Sequence, residues 1–128
     1  MNRVEIDPVW LMHVQKPARY VGGEWNSVMK NHADVDVKGA LAFPDVYEVG
    51  MSHLGLKIIY SVINSRKDAL AERVYTPWVD MEKMMRERNI PLYALESKAP
   101  IKDFDVLGLT MPYEMCYTNI LNMIDLSG

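Results

Sequence analysis

A short apolar strand that runs through a glycine-containing turn into a helix is the feature that most restricts the fold. The apolar run Ala40–Phe43 stops at Pro44, a polar loop follows, and a helical pattern begins near Leu54. In open α/β folds ligands bind at such junctions, because free backbone N–H groups and the positive end of the helix dipole point out of the sheet. The sequence therefore indicates the position of a ligand site but not the identity of the ligand.

Short apolar runs and helical patterns alternate four times after residue 36. The predicted strands are Val37–Phe43, Arg73–Thr76, Ile90–Leu95 and Asp105–Thr110. The predicted helices carry three apolar stripes: Leu54, Ile58, Ile59, Val62 and Ile63; then Met81, Met84 and Met85, after an N-cap at Asp80; then Tyr117, Ile120, Leu121 and Ile124. Right-handed βαβ crossovers on a parallel sheet are the expected solution.

The predicted fold class is therefore α/β, a three-layer flavodoxin-like (Rossmann-like) parallel sheet with strand order 2-1-3-4. Residues 37–128 form this domain, and residues 1–36 are an N-terminal extension packed on it, with Trp10, Tyr20 and Trp25 covering the core. Such folds usually carry five or more strands, so we expect a domain that is incomplete at its C-terminus. We also expect an exposed sheet edge and a homodimer formed through it.

Composition excludes several classes of site. The single cysteine, Cys116, rules out an intrachain disulfide, a cysteine-ligated iron–sulfur cluster and a Cys₄ or Cys₂His₂ zinc site in this chain, and we expect it to be a buried thiol. The net charge of -3 gives no general case for nucleic acid or an anionic membrane. No segment approaches the roughly 20 apolar residues of a membrane span, and a cytoplasmic protein is expected. The ten methionines are interpreted as core filler.

Polar residues in the loops after the strands have two interpretations each. His53 is a ligand or general base, or a helix-start histidine bonded to local backbone. Asp45 and Glu48 are paired carboxylates for acid–base work, or they satisfy loop N–H groups and the helix dipole. Tyr113 is a stacking platform, or a half-exposed tyrosine in a capping loop.

The known nucleotide and hydrolase motifs are absent from this loop. Gly50 and Gly55 lack the G-x-G-x-x-G spacing of dinucleotide folds, and no Gly-Lys-Ser/Thr of a Walker A loop follows. Ser52 is not in a Gly-x-Ser-x-Gly elbow. We expect no catalytic residue and no metal site in this chain.

Five segments resemble the N-terminal region of a group of large radical SAM proteins. They are Arg19–Gly22, Phe43–Leu56, Ala69–Val74, Leu95–Ser97 and Phe104–Leu109. The resemblance implies a cobalamin-binding-like Rossmann domain that precedes a radical SAM barrel. The stretch from His53 to Leu56 stands where B12-dependent members carry Pro-Leu-Gly-Leu, and the last segment is similar to their Asp-Val-Val-Gly-Ile strand.

Two departures from the family pattern limit what the resemblance implies. The Asp-x-His-x-x-Gly motif that supplies a lower axial histidine in B12-dependent mutases is absent, so a corrinoid would bind without that ligand. The Cys-x-x-x-Cys-x-x-Cys motif of the [4Fe–4S] cluster is also absent. The cluster and S-adenosylmethionine then belong to a downstream radical SAM module, in the same or a neighbouring polypeptide, and this chain has no turnover alone.

The resemblance implies a cobalamin site at the carboxyl edge of the sheet. The residues expected nearest the ligand are Ser52, His53, Gly55, Thr110 and Tyr113. In that case the domain presents a corrinoid or a substrate to the downstream barrel. The alternative is a cofactor-free docking module that keeps only the fold, with Met51, Trp78 and Met111 filling the groove where a corrin would lie.

Overall fold

Three parallel strands form the centre of the computed structural model, which describes residues 2–128. They are β1 (Val37–Phe43), β2 (Ala69–Tyr75) and β3 (Val106–Leu109). The order in the sheet is β2-β1-β3, so the first strand is central. Phe43 pairs with Tyr75 on one side, and Ala42 pairs with Leu109 on the other. The predicted parallel α/β architecture is confirmed.

Residues 2–128 contain six α-helices. They are α1 (Pro8–Leu11), α2 (Ala18–Val21), α3 (Tyr47–Gly50), α4 (Leu54–Asn64), α5 (Val79–Arg88) and α6 (Tyr117–Ser127), with 3₁₀ turns at His32–Asp34, Ile101–Asp103 and Glu114–Cys116. None of the helices in the described part of the chain is long and apolar enough to cross a membrane.

Each face of the sheet has its own core. On one face, Met81 and Met85 of α5 and Met123 of α6 are almost fully buried against small residues of the central strand, and the N-terminal extension packs here through residues such as Val14 and Tyr20. On the other face, α4 packs on β1 and β2 through Leu56 and Tyr60. These three methionines confirm the interpretation as core filler, but the same interpretation is wrong for four others, Met12, Met29, Met111 and Met115, which are 81%, 60%, 67% and 84% exposed.

The predicted strand Ile90–Leu95 is wrong. This segment is buried, but it runs outside β2 and makes one isolated bridge, between Tyr93 and Pro100. The backbone N–H of Leu92 donates to the carbonyl oxygen of Leu126 in α6, at 2.8 Å, and not to a strand. The observed β3 therefore corresponds to the predicted fourth strand, Asp105–Thr110. The described residues form a sheet in the order β2-β1-β3 and not in the predicted order 2-1-3-4.

The predicted apolar stripe of α4 does not match the buried face of the helix. Leu54, Ile58 and Val62 are 68%, 54% and 62% exposed, whereas Leu56 and Tyr60 face the sheet. The helix is apolar on both sides, so its pattern does not show which side packs.

Two smaller predictions are also wrong. The cap of α5 is Trp78, and Asp80 lies inside the first turn, where its carboxylate accepts from the backbone N–H groups of Met81 and Gln15. Trp25 is 99% exposed and covers no core, although Tyr20 is buried as expected and Trp10 packs against the core.

Candidate functional site at the carboxyl edge of the sheet

His53 caps the helix that follows the central strand. Its Nδ1 accepts a hydrogen bond from the backbone N–H of Leu56, at 3.1 Å, and its ring lies 4.9 Å from the ring of Phe43. The histidine thus satisfies one of the free N–H groups of the helix start, which is the local-backbone role. A Cβ on Gly55 would come within 3.0 Å of this ring, so the glycine leaves room for the histidine.

Ser52 is exposed and locally bonded. Its Oγ donates to the carbonyl oxygen of Val49, at 2.9 Å, one turn earlier in the chain. In this arrangement the hydroxyl proton is used within the loop, and the oxygen remains able to accept a hydrogen bond.

A second loop closes over the end of the central strand. The Tyr113 hydroxyl donates to the Asp45 carboxylate at 2.7 Å, and this bond raises the pKa of the tyrosine. The Asn119 side chain donates to the carbonyl oxygen of Pro44 at 2.9 Å, and the backbone N–H of Thr110 donates to that of Ala42 at 3.1 Å. The loops after β1 and β3 are therefore joined directly at the place where the predicted ligand would lie.

Glu48 binds the N-terminal extension. Its carboxylate accepts from Arg19 Nε at 2.8 Å and from Lys16 Nζ at 2.9 Å. These two hydrogen bonds, that of Arg19 first, lower the pKa of Glu48 to about 2. Asp45 and Glu48 are thus engaged by different partners and are not paired acid–base carboxylates. Asp45 accepts from the backbone N–H of Val46, as the second interpretation expects, whereas the contacts of Glu48 with the extension were not predicted.

The remaining loop residues have varied environments. Cys116 is fully buried, and its thiol lies 2.7 Å from the carbonyl oxygen of Tyr113, which confirms the buried thiol. Met111 is 67% exposed and Trp78 is 42% exposed, with the Arg19 guanidinium 5.4 Å from the Trp78 ring centre.

A buried polar network beside β2 was missed by the sequence analysis. The Arg73 side chain donates to Glu96 at 2.7 Å, and also to Glu24. Burial raises the pKa of Glu96, and the opposing charge of Arg73 offsets only part of that rise. On the opposite side of the strand, Glu72 accepts from the Ser97 hydroxyl at 2.6 Å. The one available signal was the pair of adjacent opposite charges inside an apolar strand.

The polar residues of this network lie in two of the sequence segments that carry the family resemblance. Ala69–Val74 contributes Glu72 and Arg73, and Leu95–Ser97 contributes their two partners. Comparison with protein families agrees with this resemblance: the family model "Radical SAM proteins, N-terminal" matches residues 55–128. The chain belongs to this family. No curated protein and no solved structure matches it.

The matched part of this radical SAM N-terminal domain begins at Gly55 and includes α4, the two outer strands and α6. The extension, the central strand and His53 lie outside it. Among residues 2–128, no group of three or more His, Cys, Asp or Glu side chains is placed to hold a metal ion.

Three of the five predicted ligand residues, Ser52, His53 and Tyr113, form hydrogen bonds within the protein. His53 Nδ1 is occupied by its capping bond, and the Tyr113–Asp45 bond spans the gap between the loops after β1 and β3. Thr110 and Tyr113 are joined to the loop after β1, Ser52 lies in that loop before the His53 cap, and Gly55 lies in the first turn of α4.

Proposed function

We propose that this domain is a docking module that binds the radical SAM part of the protein through an apolar surface around β3. We call this surface the β3 surface. It consists of the β3 edge, the groove beside it and the exposed apolar side chains of α4 and α6. These two helices lie on opposite faces of the sheet, so a partner reaches around the β3 edge to contact both. The observation that carries the proposal is the exposure of apolar side chains on all of these elements at once.

The β3 edge has the properties of a strand that accepts a further strand. Within the described residues, Val106–Leu109 pairs with β1 alone. It contains no charge, no proline and no bulge, which are the features that natural proteins use to protect a free edge. Val106 is 55% exposed. An incoming strand would find unpaired backbone groups and an apolar side chain.

A groove beside this edge is suited to an apolar helix or strand. It has a volume of about 340 Å³ and lies over β1 and β3 next to the end of α4. Its walls are mostly apolar side chains and glycines, with one charged pair at the rim: Val37, Gly39, Ala40, Leu41, Ile63, Ala69, Leu70, Val106 and Gly108, and the pair Arg66 and Asp68. Because two of these residues are glycines, the floor of the groove is low and a partner can approach the backbone.

The outer sides of two helices extend the surface. On α6, Tyr117, Leu121 and Ile124 are 54%, 67% and 49% exposed at helical spacing. The opposite side of this helix is buried, through Met123 and Leu126. This helix therefore has a second, exposed apolar side beside its polar residues Asn122 and Asp125, and an exposed apolar side of this kind indicates a surface for a partner.

The radical SAM part of the protein is a better occupant of this surface than a second copy of the chain. Edge-to-edge pairing of two β3 strands would satisfy their backbone groups. However, α4 packs on β1 and β2, so each copy would keep the groove over its own β3 open. A partner that fills the surface supplies a strand together with an apolar helix, and the family places this domain before a radical SAM part.

Titration calorimetry of the 128-residue chain against the radical SAM part, produced separately, tests the proposal. Val62→Glu and Leu121→Glu place a charge on α4 and on α6, and each is expected to weaken binding at least tenfold. Val9→Glu is the matched control, because Val9 is 53% exposed in the extension, and it should bind as the unchanged chain does. Equal binding by all three variants, or a stable dimer that the same substitutions disrupt, would contradict the proposal.

Cobalamin binding is a second candidate, supported by the strand order. In the order β2-β1-β3, the direction of chain crossover changes between β1 and β3, and ligands of open α/β sheets bind at that point. Ser52, His53, Gly55, Thr110 and Tyr113 follow these two strands. The domain would then present a corrinoid to the radical SAM part, which would hold the [4Fe–4S] cluster and S-adenosylmethionine.

Hydroxocobalamin added to the chain distinguishes this candidate from a docking module without a cofactor. One-site binding at 100 times Kd would stabilise the fold by about 2.7 kcal/mol, which raises the melting temperature by several degrees, and it would change the absorption spectrum of the corrin. Tyr113→Phe removes the bond that closes the two loops and is expected to tighten such binding. No spectral change and no melting shift would reject cobalamin and leave the docking module unaffected.

A further inference from the structure

A small cavity lies where the N-terminal extension meets the carboxyl end of β2. Its volume is about 20 Å³, enough for one oxygen atom of a ligand. Its walls combine apolar and tyrosine side chains with those of Arg19 and Thr76: Tyr20, Tyr75, Pro77, Met85, Leu92, Tyr93 and Leu95. The Tyr20 hydroxyl accepts from the backbone N–H of Trp78, and the Tyr93 hydroxyl donates to the carbonyl oxygen of Tyr20. The cavity is separate from the β3 surface, because β1 stands between β2 and β3.

Arg19 and Thr76 both line this cavity, and each has a buried side-chain atom without a hydrogen-bond partner. Among residues 2–128, the buried side-chain nitrogen and oxygen atoms without a hydrogen-bond partner are Arg19 Nη1 and Thr76 Oγ1. The Arg19 side chain is nine-tenths buried. Buried polar groups nearly always have partners, so two orphan atoms on one cavity call for a shared ligand.

The other contacts of Arg19 fix its guanidinium in place. Its Nε donates to Glu48 at 2.8 Å, and its guanidinium carbon lies 5.4 Å from the ring centre of Trp78. The hydrogen bond to Glu48 raises the pKa of Arg19, so the group stays charged. Nη1 can only donate, and the Thr76 hydroxyl is able to donate as well.

We infer that this cavity is a binding site for a carboxylate, one oxygen of which accepts hydrogen bonds from Arg19 Nη1 and Thr76 Oγ1. A cation is excluded because the guanidinium would repel it. A carboxylate oxygen is favoured over a neutral one because hydrogen bonds between charged groups are about twice as strong. The size of the cavity admits that oxygen and leaves the body of the ligand outside, at the carboxyl edge of the sheet.

Formate is the probe for this site, with chloride at equal ionic strength as the reference. Formate is expected to raise the melting temperature of the unchanged chain above its value in chloride and to shift the NMR signal of the Thr76 methyl group. Thr76→Val keeps the shape but removes the hydroxyl, and its affinity for formate should fall about tenfold or more. Thr76→Ser keeps the hydroxyl and should retain binding.

Arg19→Gln removes the charge and is expected to abolish the response to formate. If that variant does not fold, the pair at position 76 still decides the result, because valine and threonine have the same shape. The inference is wrong if formate stabilises the valine variant as much as the unchanged chain, or if the unchanged chain responds to formate no more than to chloride. Either result would leave the docking proposal untouched, since none of these residues belongs to the β3 surface.

Discussion

The two edges of the sheet differ in whether their outer backbone groups are hydrogen-bonded. On the β2 edge, the backbone groups that point away from β1 are paired with side chains and a loop. Asn64 donates to the carbonyl oxygen of Ala71 at 2.9 Å and accepts from its N–H at 3.0 Å. Two residues later, Arg73 donates its N–H to the Glu96 carboxylate at 2.8 Å and accepts from the N–H of Leu95.

The β3 edge has no such cover within residues 2–128. Its four residues pair with β1 on one side, and Val106 is more than half exposed. The comparison teaches that a parallel sheet can end without a further strand if an amide and a carboxylate take the place of the next backbone. It also indicates that the open edge is a surface for a partner, because the same chain closes the other edge with several polar groups.

The largest expected effect comes from breaking the buried ion pair at the closed edge. Arg73→Met would leave Glu96, whose side chain is 1% exposed, without its counter-charge. Removal of one partner of a buried pair destabilises by about 3–5 kcal/mol. Urea unfolding measures this loss, with Arg66→Met as the control, because Arg66 is 63% exposed in its pair with Asp68. Equal losses in the two variants would show that the Arg73–Glu96 pair does not hold the edge.

The amide at the same edge is expected to contribute the next largest effect. Asn64→Leu would leave the N–H and carbonyl groups of Ala71 unpaired, at about 1–3 kcal/mol for each buried group. Hydrogen exchange of the Ala71 amide should quicken in this variant, in addition to a lower free energy of unfolding. Asn26→Leu, at an exposed position, is the control and should leave both quantities unchanged.

Alanine substitutions at two glycines compare the packing of the closed and open parts of the sheet. A Cβ on Gly50 would overlap the ring of Tyr75, so Gly50→Ala is expected to destabilise by about 1–3 kcal/mol. A Cβ on Gly108 in β3 would lie 3.4 Å from Leu41 Cδ2, an ordinary contact, so Gly108→Ala should be neutral or stabilise by about 0.5 kcal/mol. Thermal unfolding measures both. A loss at position 108 as large as at position 50 would mean that the groove over β3 is already filled.

The sequence predicted the parallel sheet, the central strand and the helices around it, because these depend on local periodicity. It failed at Ile90–Leu95 because a buried extended loop has the same apolar pattern as a strand. What distinguishes the two is the partner, and Glu96 and Asn64 act from other parts of the chain. Periodicity carries no information on such contacts.

In the candidate site, too, the local contacts were predictable and the long-range contacts were not. The capping role of His53 follows from its position before a helix, and it was one of the two interpretations. The bond between Tyr113 and Asp45, and the cavity shared by Arg19 and Thr76, join residues that are 57 or more positions apart. These contacts depend on the packing of the whole chain and left no local signal.

The smallest expected effect concerns an ion pair that is exposed, in contrast to the buried pair at the closed edge. Glu48 is 39% exposed, and its pKa of about 2 lies below the ordinary 4.5 because of Arg19 and Lys16. A carboxylate with a lowered folded-state pKa stabilises the fold above its unfolded pKa and loses that contribution as the pH falls. Glu48→Gln should therefore lose less than about 1 kcal/mol at pH 7, after allowance for solvent screening. The difference from the unchanged chain should shrink between about pH 4.5 and pH 2, and added salt should reduce it at neutral pH.

Glu87→Gln, in an exposed pair with Lys83, is the control for general charge effects. A loss at Glu48 that matched the loss at Arg73 and did not change with pH would show that this contact, and not the buried pair, holds the extension and the closed side of the sheet together.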